Sequence, residues 1–234
     1  MSAEMHATGE RRKGAVLVAI DGPGASGKST VSRAVAGALG FAYVDSGAMY
    51  RTLGWHCLRS GVDLKDLKAV STACRRWKTR LFFDQNALSE VVLLVDGYRP
   101  TEEIRSKEVS AAASDVAVVA GVRAWMKQKQ RECVQFGNLV MEGRDIATNV
   151  FPETDFKFWL DASPTERVRR RQAQGVDENL AARDRQDSQR AVAPLMVGLG
   201  AVRIDTTGRP VDDIVREIVE RVRATEILQV SEVS

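Results

Sequence analysis

The chain has 234 residues, of which 44% are hydrophobic and 28% are charged. At this length roughly 70% of the unfolded surface can be buried, so a core forms without a metal or disulfides and general disorder is excluded. The net charge of +3 is too even for a protein that coats nucleic acid, so we expect no nucleic-acid partner. Only residues 1–13 are polar enough to predict a disordered tail.

The cysteines and the first apolar run indicate the compartment. Cys57, Cys74 and Cys133 form no CxxC pair, which favours a reducing compartment over a disulfide framework or a zinc site. The apolar run Ala15–Ile20 is too short for the core of a signal peptide and far below a membrane span. We therefore expect a cytoplasmic protein without a membrane partner.

Short, continuous apolar runs alternate along the chain with helical patterns, which is typical of parallel strands buried on both faces. After the first run, apolar residues repeat at helical spacing from Val31 to Leu39, and Gly40 is placed to end that helix. A last amphipathic helix covers Val211–Val222. The pattern predicts an α/β fold. The predicted strands are Ala15–Ile20, Phe41–Val44, Leu139–Met141, Phe156–Leu160 and Ala201–Ile204.

The stretch from Ser46 to about Ala112 departs from this alternation and is predicted to be an inserted lobe. It contains two helical patterns, around Met49–Leu58 and Leu67–Trp77. A β-hairpin pattern follows them. The hairpin pattern comprises Leu81–Phe83, Leu88, Val91–Val95 and the Asp96-Gly97 turn.

A second departure, from Ser163 to Arg190, is polar and rich in arginine. Ser163-Pro164-Thr165-Glu166 forms a capping box with proline at the first helical position, so a helix is predicted to begin there. The helix is predicted to break near Gly175-Val176 and to resume. Such a charged helical hairpin is usually a solvated surface, and its arginines gain a function only if a phosphate site lies opposite.

A phosphate-binding motif follows the first strand. Gly22-Pro23-Gly24-Ala25-Ser26-Gly27-Lys28-Ser29 matches GxxxxGK[ST] between a strand and a helix. Glycines allow backbone N–H groups to converge on phosphate oxygens, Lys28 reaches the terminal phosphates, and the Ser29 hydroxyl can hold Mg²⁺. The motif predicts binding of a nucleoside triphosphate with Mg²⁺.

The fate of the triphosphate is a separate question. The sequence lacks the N-K-x-D run by which guanine-specific switch proteins read their base. No residue can be assigned to the positioning of a hydrolytic water: His6 lies in the tail, and a structural role is the better interpretation of His56 on its helix. Transfer to a second bound substrate needs no histidine base, because positioning and charge neutralisation do most of the work in phosphoryl transfer.

Three further blocks make the sequence recognisable. They are Asp45-Ser46-Gly47-Ala48-Met49-Tyr50-Arg51, Glu142-Gly143-Arg144-Asp145, and the segment Arg183–Leu195 with Asp187, Ser188 and Arg190. Together with the phosphate loop they resemble the bacterial cytidylate kinase family, which phosphorylates CMP and dCMP with ATP. The similarity extends from about Val16 to Val222.

The resemblance implies a P-loop kinase core with a five-stranded parallel sheet, a lobe that binds the nucleoside monophosphate (NMP) and a helical lid. The implied core comprises residues 14–45, 113–162 and 191–234, the NMP-binding lobe 46–112 and the lid 163–190. It also implies ATP and Mg²⁺ as cofactors and CMP or dCMP as the small-molecule partner. We expect a monomer.

The resemblance also assigns residues. Arg183 falls on the position of a lid arginine that approaches the transferring phosphoryl group, and Asp187 on the position that contacts the sugar. The ATP loop is Gly22, Pro23, Gly24, Ala25, Ser26, Gly27, Lys28, Ser29 and Thr30, with Ser29 as the metal ligand. The monophosphate is assigned to Ser46, Arg51, Arg144 and Arg190, and the cytosine to Ser114, Arg123 and Asp145. The catalytic cations are then Lys28, Arg144, Arg183 and Arg190.

Some alternatives stay open at this point. Asp145 beside Arg144 at a strand end is equally well explained as an ion pair when the other blocks are ignored. Ser114 lies in an alanine-rich helix, where a small hydroxyl is structurally ordinary, so its assignment rests mainly on the resemblance. The acceptor can be UMP, another nucleotide or a metabolite hydroxyl, and a third hypothesis is an ATP-gated module that binds nucleic acid.

Overall fold

The computed structural model describes residues 14–85, 89–175 and 179–231. Its centre is a single seven-stranded sheet. The strands are β1 (Leu17–Asp21), β2 (Ala42–Asp45), β3 (Thr79–Asp84), β4 (Glu90–Val95), β5 (Leu139–Gly143), β6 (Phe156–Asp161) and β7 (Val202–Asp205). Their order across the sheet is β3-β4-β2-β5-β1-β6-β7, and every neighbouring pair is parallel except β3 and β4.

The predicted five-stranded parallel sheet is confirmed as the core of this sheet, but five is wrong as the total. The predicted hairpin adds its strands at the β2 edge, where Tyr43 is in register with Glu90 and the Tyr43 N–H donates to the Ser89 carbonyl at 2.9 Å. An exposed edge of β2 would leave its backbone groups unpaired, and the hairpin satisfies them.

Eight α-helices in the described part of the chain cover the sheet. They are α1 (Lys28–Leu39), α2 (Ser46–Arg59), α3 (Leu67–Arg76), α4 (Lys107–Ala117), α5 (Ala120–Glu132), α6 (Pro164–Ala173), α7 (Leu180–Ser188) and α8 (Val211–Ser231).

The sheet separates two apolar cores. Alternate residues of a strand point to opposite faces, so Leu17 and Ala19 belong to one core while Val18 and Ile20 belong to the other. The first core contains residues of α2, α3 and α5, and the second contains residues of α1 and α8. The central strands are therefore buried on both faces, as their continuous apolar runs predict.

The predicted helix boundaries follow from local chemistry. Gly40 adopts φ 68° and its N–H donates to the Ala36 and Gly37 carbonyls, which ends α1. The helix α6 begins as predicted, and the Ser163 hydroxyl accepts from the Glu166 N–H at 3.3 Å. The capping box is only half formed, because the Ser163 N–H donates to Thr207 Oγ1 at 2.9 Å and not to the Glu166 carboxylate. Gly175 has φ 69° just after α6, so the predicted break is confirmed there.

Residues 46–112, the predicted lobe, contain the predicted helices α2 and α3 and the predicted hairpin. The Asp96-Gly97 turn forms, but it follows β4 and links Val95 to Tyr98 rather than joining the two strands. The remaining predictions for Leu88, Val176 and the tail 1–13 concern positions outside the described residues.

Within the described residues no single helix is long and apolar enough to span a membrane. The consecutive helices Lys107–Ala117 and Ala120–Phe136 reach that length and composition only together, and they meet at 101°. Both bury apolar residues in the protein, for example Val116 and Met126.

Candidate active site

The phosphate loop leaves the carboxyl end of β1, and two glycines fix its path. Gly22 has φ 152°, and a Cβ there would lie 2.0 Å from the Leu160 carbonyl oxygen of β6. Gly27 has φ 91° and precedes the first residue of α1. A side chain at Gly22 would push the loop off the sheet, so the loop shape depends on glycine at this position.

Lys28 and Ser29 occupy the first turn of α1. Lys28 is buried, and its Nζ donates to the Pro23 carbonyl at 2.7 Å. Burial, together with the positive charge of Arg144, lowers the pKa of Lys28 to about 7. The exposed Ser29 donates from its hydroxyl to Glu142 Oε2 at 3.0 Å. A phosphate beside Lys28 would supply the negative charge that this buried ammonium group lacks.

Glu142, the penultimate residue of β5, lies at the base of the loop. Its Oε2 accepts from Ser29, and its Oε1 accepts from the Tyr43 hydroxyl. Burial and the nearby Asp45 raise the pKa of the Glu142 carboxyl. The sequence analysis quoted Glu142 in a motif but gave it no role, and its pairing with Ser29 identifies it as part of the site.

Asp21 is a second carboxylate that the sequence analysis missed. It ends β1 and accepts from the N–H groups of Ile146 and Ala147 at 2.9 and 2.7 Å. Burial raises its pKa to about 6. These two bonds fix the turn after β5, and that turn carries Arg144 and Asp145.

Arg144, Asp187 and Arg190 form one cluster. This agrees with the resemblance, which assigns all three residues to the same substrate. Arg144 Nε donates to Asp187 Oδ2 at 3.0 Å, and Arg190 pairs with Asp187 Oδ1. Asp187 is buried at the end of α7. The cluster therefore brings a residue of the β5 edge together with residues of the predicted lid.

Arg123 and Asp145 form a second buried pair, with 2.6 Å between Nη2 and Oδ2. Asn149 donates to the same Asp145 oxygen at 2.9 Å. The guanidinium of Arg123 also lies 5.7 Å from the centre of the Tyr50 ring. Asp145 thus pairs with Arg123, while Arg144 pairs with Asp187. The alternative of an ion pair between the adjacent Arg144 and Asp145 is wrong.

Of the remaining predicted substrate residues, two lie at the carboxyl edge of the sheet and one lies on α4. Ser46 is buried and donates from its hydroxyl to the Glu142 carbonyl at 2.6 Å. Arg51 pairs with Asp45 at 2.8 Å on the first turns of α2. Both therefore lie at the carboxyl edge of the sheet, where open α/β sheets bind ligands. Ser114 on α4 makes a hydrogen bond of 3.5 Å to the Ser110 carbonyl of its own helix.

The helices α6 and α7 contact the phosphate loop through residues that the sequence analysis did not single out. Asp184 Oδ1 accepts from the Gly24 N–H at 3.1 Å, and Arg167 Nη1 donates to the Gly24 carbonyl at 3.3 Å. Arg167 and Asp184 also pair with each other. The half-buried Arg183 on α7 is close enough for its charge to lower the pKa of Lys28 further.

The loop is also attached to the β7 side of the sheet. Thr206 is buried, and its hydroxyl donates to the Ser26 carbonyl at 2.9 Å. Arg170 of α6 donates in turn to the Thr206 hydroxyl and carbonyl at 2.9 and 2.8 Å. Thr206 and Arg170 belong to no sequence motif, because each contacts a segment that is distant in the sequence.

A comparison with known protein families identifies the family of the chain. The sequence model described as cytidylate kinase matches residues 18–224. The chain belongs to the cytidylate kinase family. The matched range contains every site residue described above, from the phosphate loop to Arg190 and Thr206, so the resemblance of the sequence blocks is confirmed.

Curated relatives agree with the family. A cytidylate kinase of Pelotomaculum thermopropionicum is 44% identical over 218 residues, which cover 88% of this chain and 96% of the relative. A cytidylate kinase of Solibacter usitatus is 40% identical, with 89% and 93% covered. A bifunctional pantoate ligase/cytidylate kinase of Prochlorococcus marinus is 35% identical, and the match covers 89% of this chain but only 42% of that longer protein.

Proposed function

We propose that this member of the cytidylate kinase family transfers the γ-phosphoryl group of ATP to CMP or dCMP and releases ADP with CDP or dCDP. The observation that supports the proposal best is the convergence of two different sites at one sheet edge. The phosphate loop with Lys28 adjoins the Arg144–Asp187–Arg190 cluster, and the buried Arg123–Asp145 pair follows Arg144 directly. One half suits a triphosphate and the other suits a nucleoside monophosphate.

The proposed division of labour uses the charges that the structure brings together. Lys28 and Arg183 neutralise the transferring phosphoryl group, while Arg51, Arg144 and Arg190 hold the acceptor phosphate, to which Ser46 donates a hydroxyl. Phosphoryl transfer of this kind depends on in-line positioning and on cations that face the developing charge. Asp187, held between two arginines, is the proposed contact to the sugar, and Ser114 joins the base-reading pair.

The residues present fit a magnesium ion. Ser29 Oγ and Glu142 Oε2 lie 3.0 Å apart, and adjacent ligands of an octahedral Mg²⁺ at about 2.1 Å have nearly this separation. No group of three or more His, Cys, Asp or Glu side chains in the described ranges can hold a metal alone, but Mg²⁺ needs only one or two carboxylates plus substrate phosphates. When bound, Mg²⁺ would neutralise charge on the ATP phosphates.

The domain division is part of the proposal. Residues 46–112 are the proposed NMP-binding lobe and 163–190 the proposed lid, with the remainder from residue 14 as the core. The boundary at 112 falls inside α4 and the hairpin of the lobe joins the main sheet. We therefore propose that the lobe moves little as a separate body and that the lid moves more. A monomeric, cytoplasmic enzyme remains our expectation.

Two alternative functions are compared with the proposed one. A kinase for UMP or for a metabolite hydroxyl would use the same phosphate loop but would not need the Arg123–Asp145 pair. A nucleic-acid-binding module would use the arginines of α6, yet Arg167, Arg169 and Arg170 all pair with carboxylates of α6 and α7. The buried pair favours a cytosine acceptor over both.

The experiment is a panel of acceptors assayed for ADP release with ATP and Mg²⁺. The panel contains CMP, dCMP, UMP, AMP and GMP. We expect CMP and dCMP to be phosphorylated far faster than the others. Equal turnover of UMP, or ATP hydrolysis that no acceptor stimulates, would contradict the proposal.

The control variant is Lys28→Ala, which removes a buried ammonium group at the first residue of α1 without opening an apolar core. We expect its turnover with CMP to fall by about 10²–10³, while circular dichroism and the melting temperature stay close to those of the wild type. Near-normal turnover in the folded variant would contradict the role of the phosphate loop.

A further inference from the structure

Tyr43 on β2 carries a buried hydroxyl group beside the candidate magnesium ligands. The hydroxyl donates to Glu142 Oε1, while Ser29 donates to Glu142 Oε2 at 3.0 Å. We infer that Tyr43 is a positioning residue, whose hydroxyl orients the Glu142 carboxylate so that Oε2 faces Ser29 and a bound divalent cation. This inference rests on the proposed function, because it assigns Ser29 and Glu142 to the metal.

The strand register places the tyrosine hydroxyl at this carboxylate. Tyr43 is paired with Val140 on the parallel strand β5, and Glu142 lies two residues further towards the carboxyl edge. Residues two apart on a strand point to the same face. A phenol is long enough to reach such a diagonal neighbour, whereas an aliphatic side chain at position 43 would end short of the carboxylate.

The ring of Tyr43 is held on all sides, so its hydroxyl has a fixed position. Tyr43 is only 1% exposed and belongs to the apolar core beneath α1. The guanidinium of Arg33 lies 4.9 Å from the ring centre and is 3.6 Å from Glu90 of the neighbouring strand β4. The hydroxyl therefore acts as a fixed donor, rather than as a group that follows the movements of Glu142.

The carboxylate of Glu142 needs such a donor. The last torsion of a glutamate side chain is broad, so burial alone does not fix the plane of the carboxylate group. With the Tyr43 hydroxyl bound to one oxygen, this plane is held so that the other oxygen is directed at Ser29. Residues that orient metal ligands in this way typically change metal affinity or activity by 10–100-fold when they are replaced.

The test is Tyr43→Phe, which keeps the ring and removes the hydroxyl. Calorimetry measures the affinity for a non-hydrolysable ATP analogue with and without Mn²⁺, and the readout is the factor by which Mn²⁺ tightens binding. We expect this factor to fall by about tenfold or more, while the metal-free affinity for the analogue and for CMP stays within twofold. An unchanged factor in the folded variant would overturn the inference.

A matched control is Tyr98→Phe. The Tyr98 hydroxyl also donates to a carboxylate, that of Glu103, but Tyr98 is 48% exposed and lies in the lobe. We expect this variant to leave the Mn²⁺ factor unchanged. An equal fall in both variants would show a general effect of losing a tyrosine hydroxyl and would also overturn the inference.

A double-mutant cycle isolates the contact itself. Glu142→Asp shortens the carboxylate, which withdraws it from the Tyr43 hydroxyl. In that background Tyr43→Phe should change the Mn²⁺ factor by less than about twofold, because residues that act through one contact are not additive. A tenfold effect of Tyr43→Phe in both backgrounds would assign Tyr43 a role that does not pass through Glu142.

A measurement on the unmutated chain covers the case in which Tyr43→Phe does not fold. With 3-fluorotyrosine incorporated, adding Mg²⁺ to the ATP-analogue complex should shift the ¹⁹F resonance of Tyr43 and not that of Tyr98. An unmoved Tyr43 resonance would overturn the inference. None of these readouts depends on transfer to an acceptor, so failure of the chain to phosphorylate CMP would contradict the proposed function alone.

Discussion

Asp21 couples the site to pH through its burial at the end of β1. In the folded protein its pKa is about 6, against 3.8 as its ordinary value, and burial is the largest cause. Between about pH 4 and 6 the folded protein therefore keeps a proton that the unfolded chain has released. Because the folded state binds more protons in this window, the free energy of unfolding falls as pH rises through it.

We expect this group to remove about 3 kcal/mol of stability between pH 4 and 6. Urea unfolding of the wild type and of Asp21→Asn at several pH values measures the contribution. The wild type should lose stability relative to the variant over this interval. Parallel stability curves for the two proteins would contradict the raised pKa of Asp21.

The residues alone predict site roles only within a continuous motif, and the other assignments rest on the resemblance to a family. The phosphate loop is one continuous segment, so its role is predicted residue by residue. Glu142 gains its role from Ser29, which is 113 positions away, and Asp184 from Gly24, which is 160 positions away. Both carboxylates lie within the recognisable sequence blocks, but their contacts with the loop arise only from the fold.

Helix α2 packs unusually close to α4, and a glycine makes this possible. A Cβ at Gly54 would lie 2.9 Å from the Ala113 nitrogen and 3.1 Å from the Ala112 carbonyl carbon. Both are backbone atoms, so α4 would have to move away as a whole. We expect Gly54→Ala to destabilise the protein by about 1–3 kcal/mol.

Gly37→Ala on α1 is the matched control, because the position is exposed and an added Cβ would meet nothing within 4 Å. This variant should gain up to about 1 kcal/mol from the higher helix propensity of alanine. Thermal unfolding of both variants gives the comparison. Equal melting temperatures would show that α2 and α4 are not in close backbone contact.

The helices α6 and α7, which form the proposed lid, bury few residues. In α6 no residue is fully buried, and in α7 only Leu180 and Asp187 are. Segments with so little burial open at low free energy, and here the contacts to the loop are mainly polar. We expect amide hydrogen exchange in α7 to slow when an ATP analogue and CMP bind together, because closure draws the arginines to the phosphates and expels water.

Helix α8 serves as the internal reference for this experiment, because Ile214 and Ile218 bury it against the sheet. Its exchange should not respond to the ligands. Unchanged protection of α7, with both ligands shown to be bound, would contradict the lid assignment.

At the scale of the whole molecule, the apolar pattern predicted the parallel core but not the size of the sheet. Short continuous runs identify doubly buried strands, and all five lie within a residue or two of the observed ones, from β1 to β7. The hairpin was predicted as part of a lobe, yet its pattern carries no information on which sheet edge it joins. That choice depends on the free backbone groups of β2, which become apparent only in three dimensions.

The Arg123–Asp145 pair is the proposed reader of the cytosine base in the acceptor. A carboxylate at Asp145 can accept from the cytosine N4 amino group, and Arg123 can donate to the acceptor edge of the base. Uracil presents the O4 oxygen where cytosine presents N4, so the carboxylate would face another acceptor instead of a donor. Desolvated polar sites can discriminate against such a mismatch by about 10⁴.

The most direct measurement is kcat/KM for CMP and UMP in the wild type and in Asp145→Asn. Asparagine can turn its amide nitrogen towards uracil O4, so the variant should lose efficiency mainly with CMP and the CMP/UMP ratio should fall. The melting temperature of the variant shows whether the loss of the buried ion pair has disturbed the fold. A folded variant that keeps the wild-type CMP/UMP ratio would contradict the role of Asp145 in base recognition and would leave it a structural partner of Arg123.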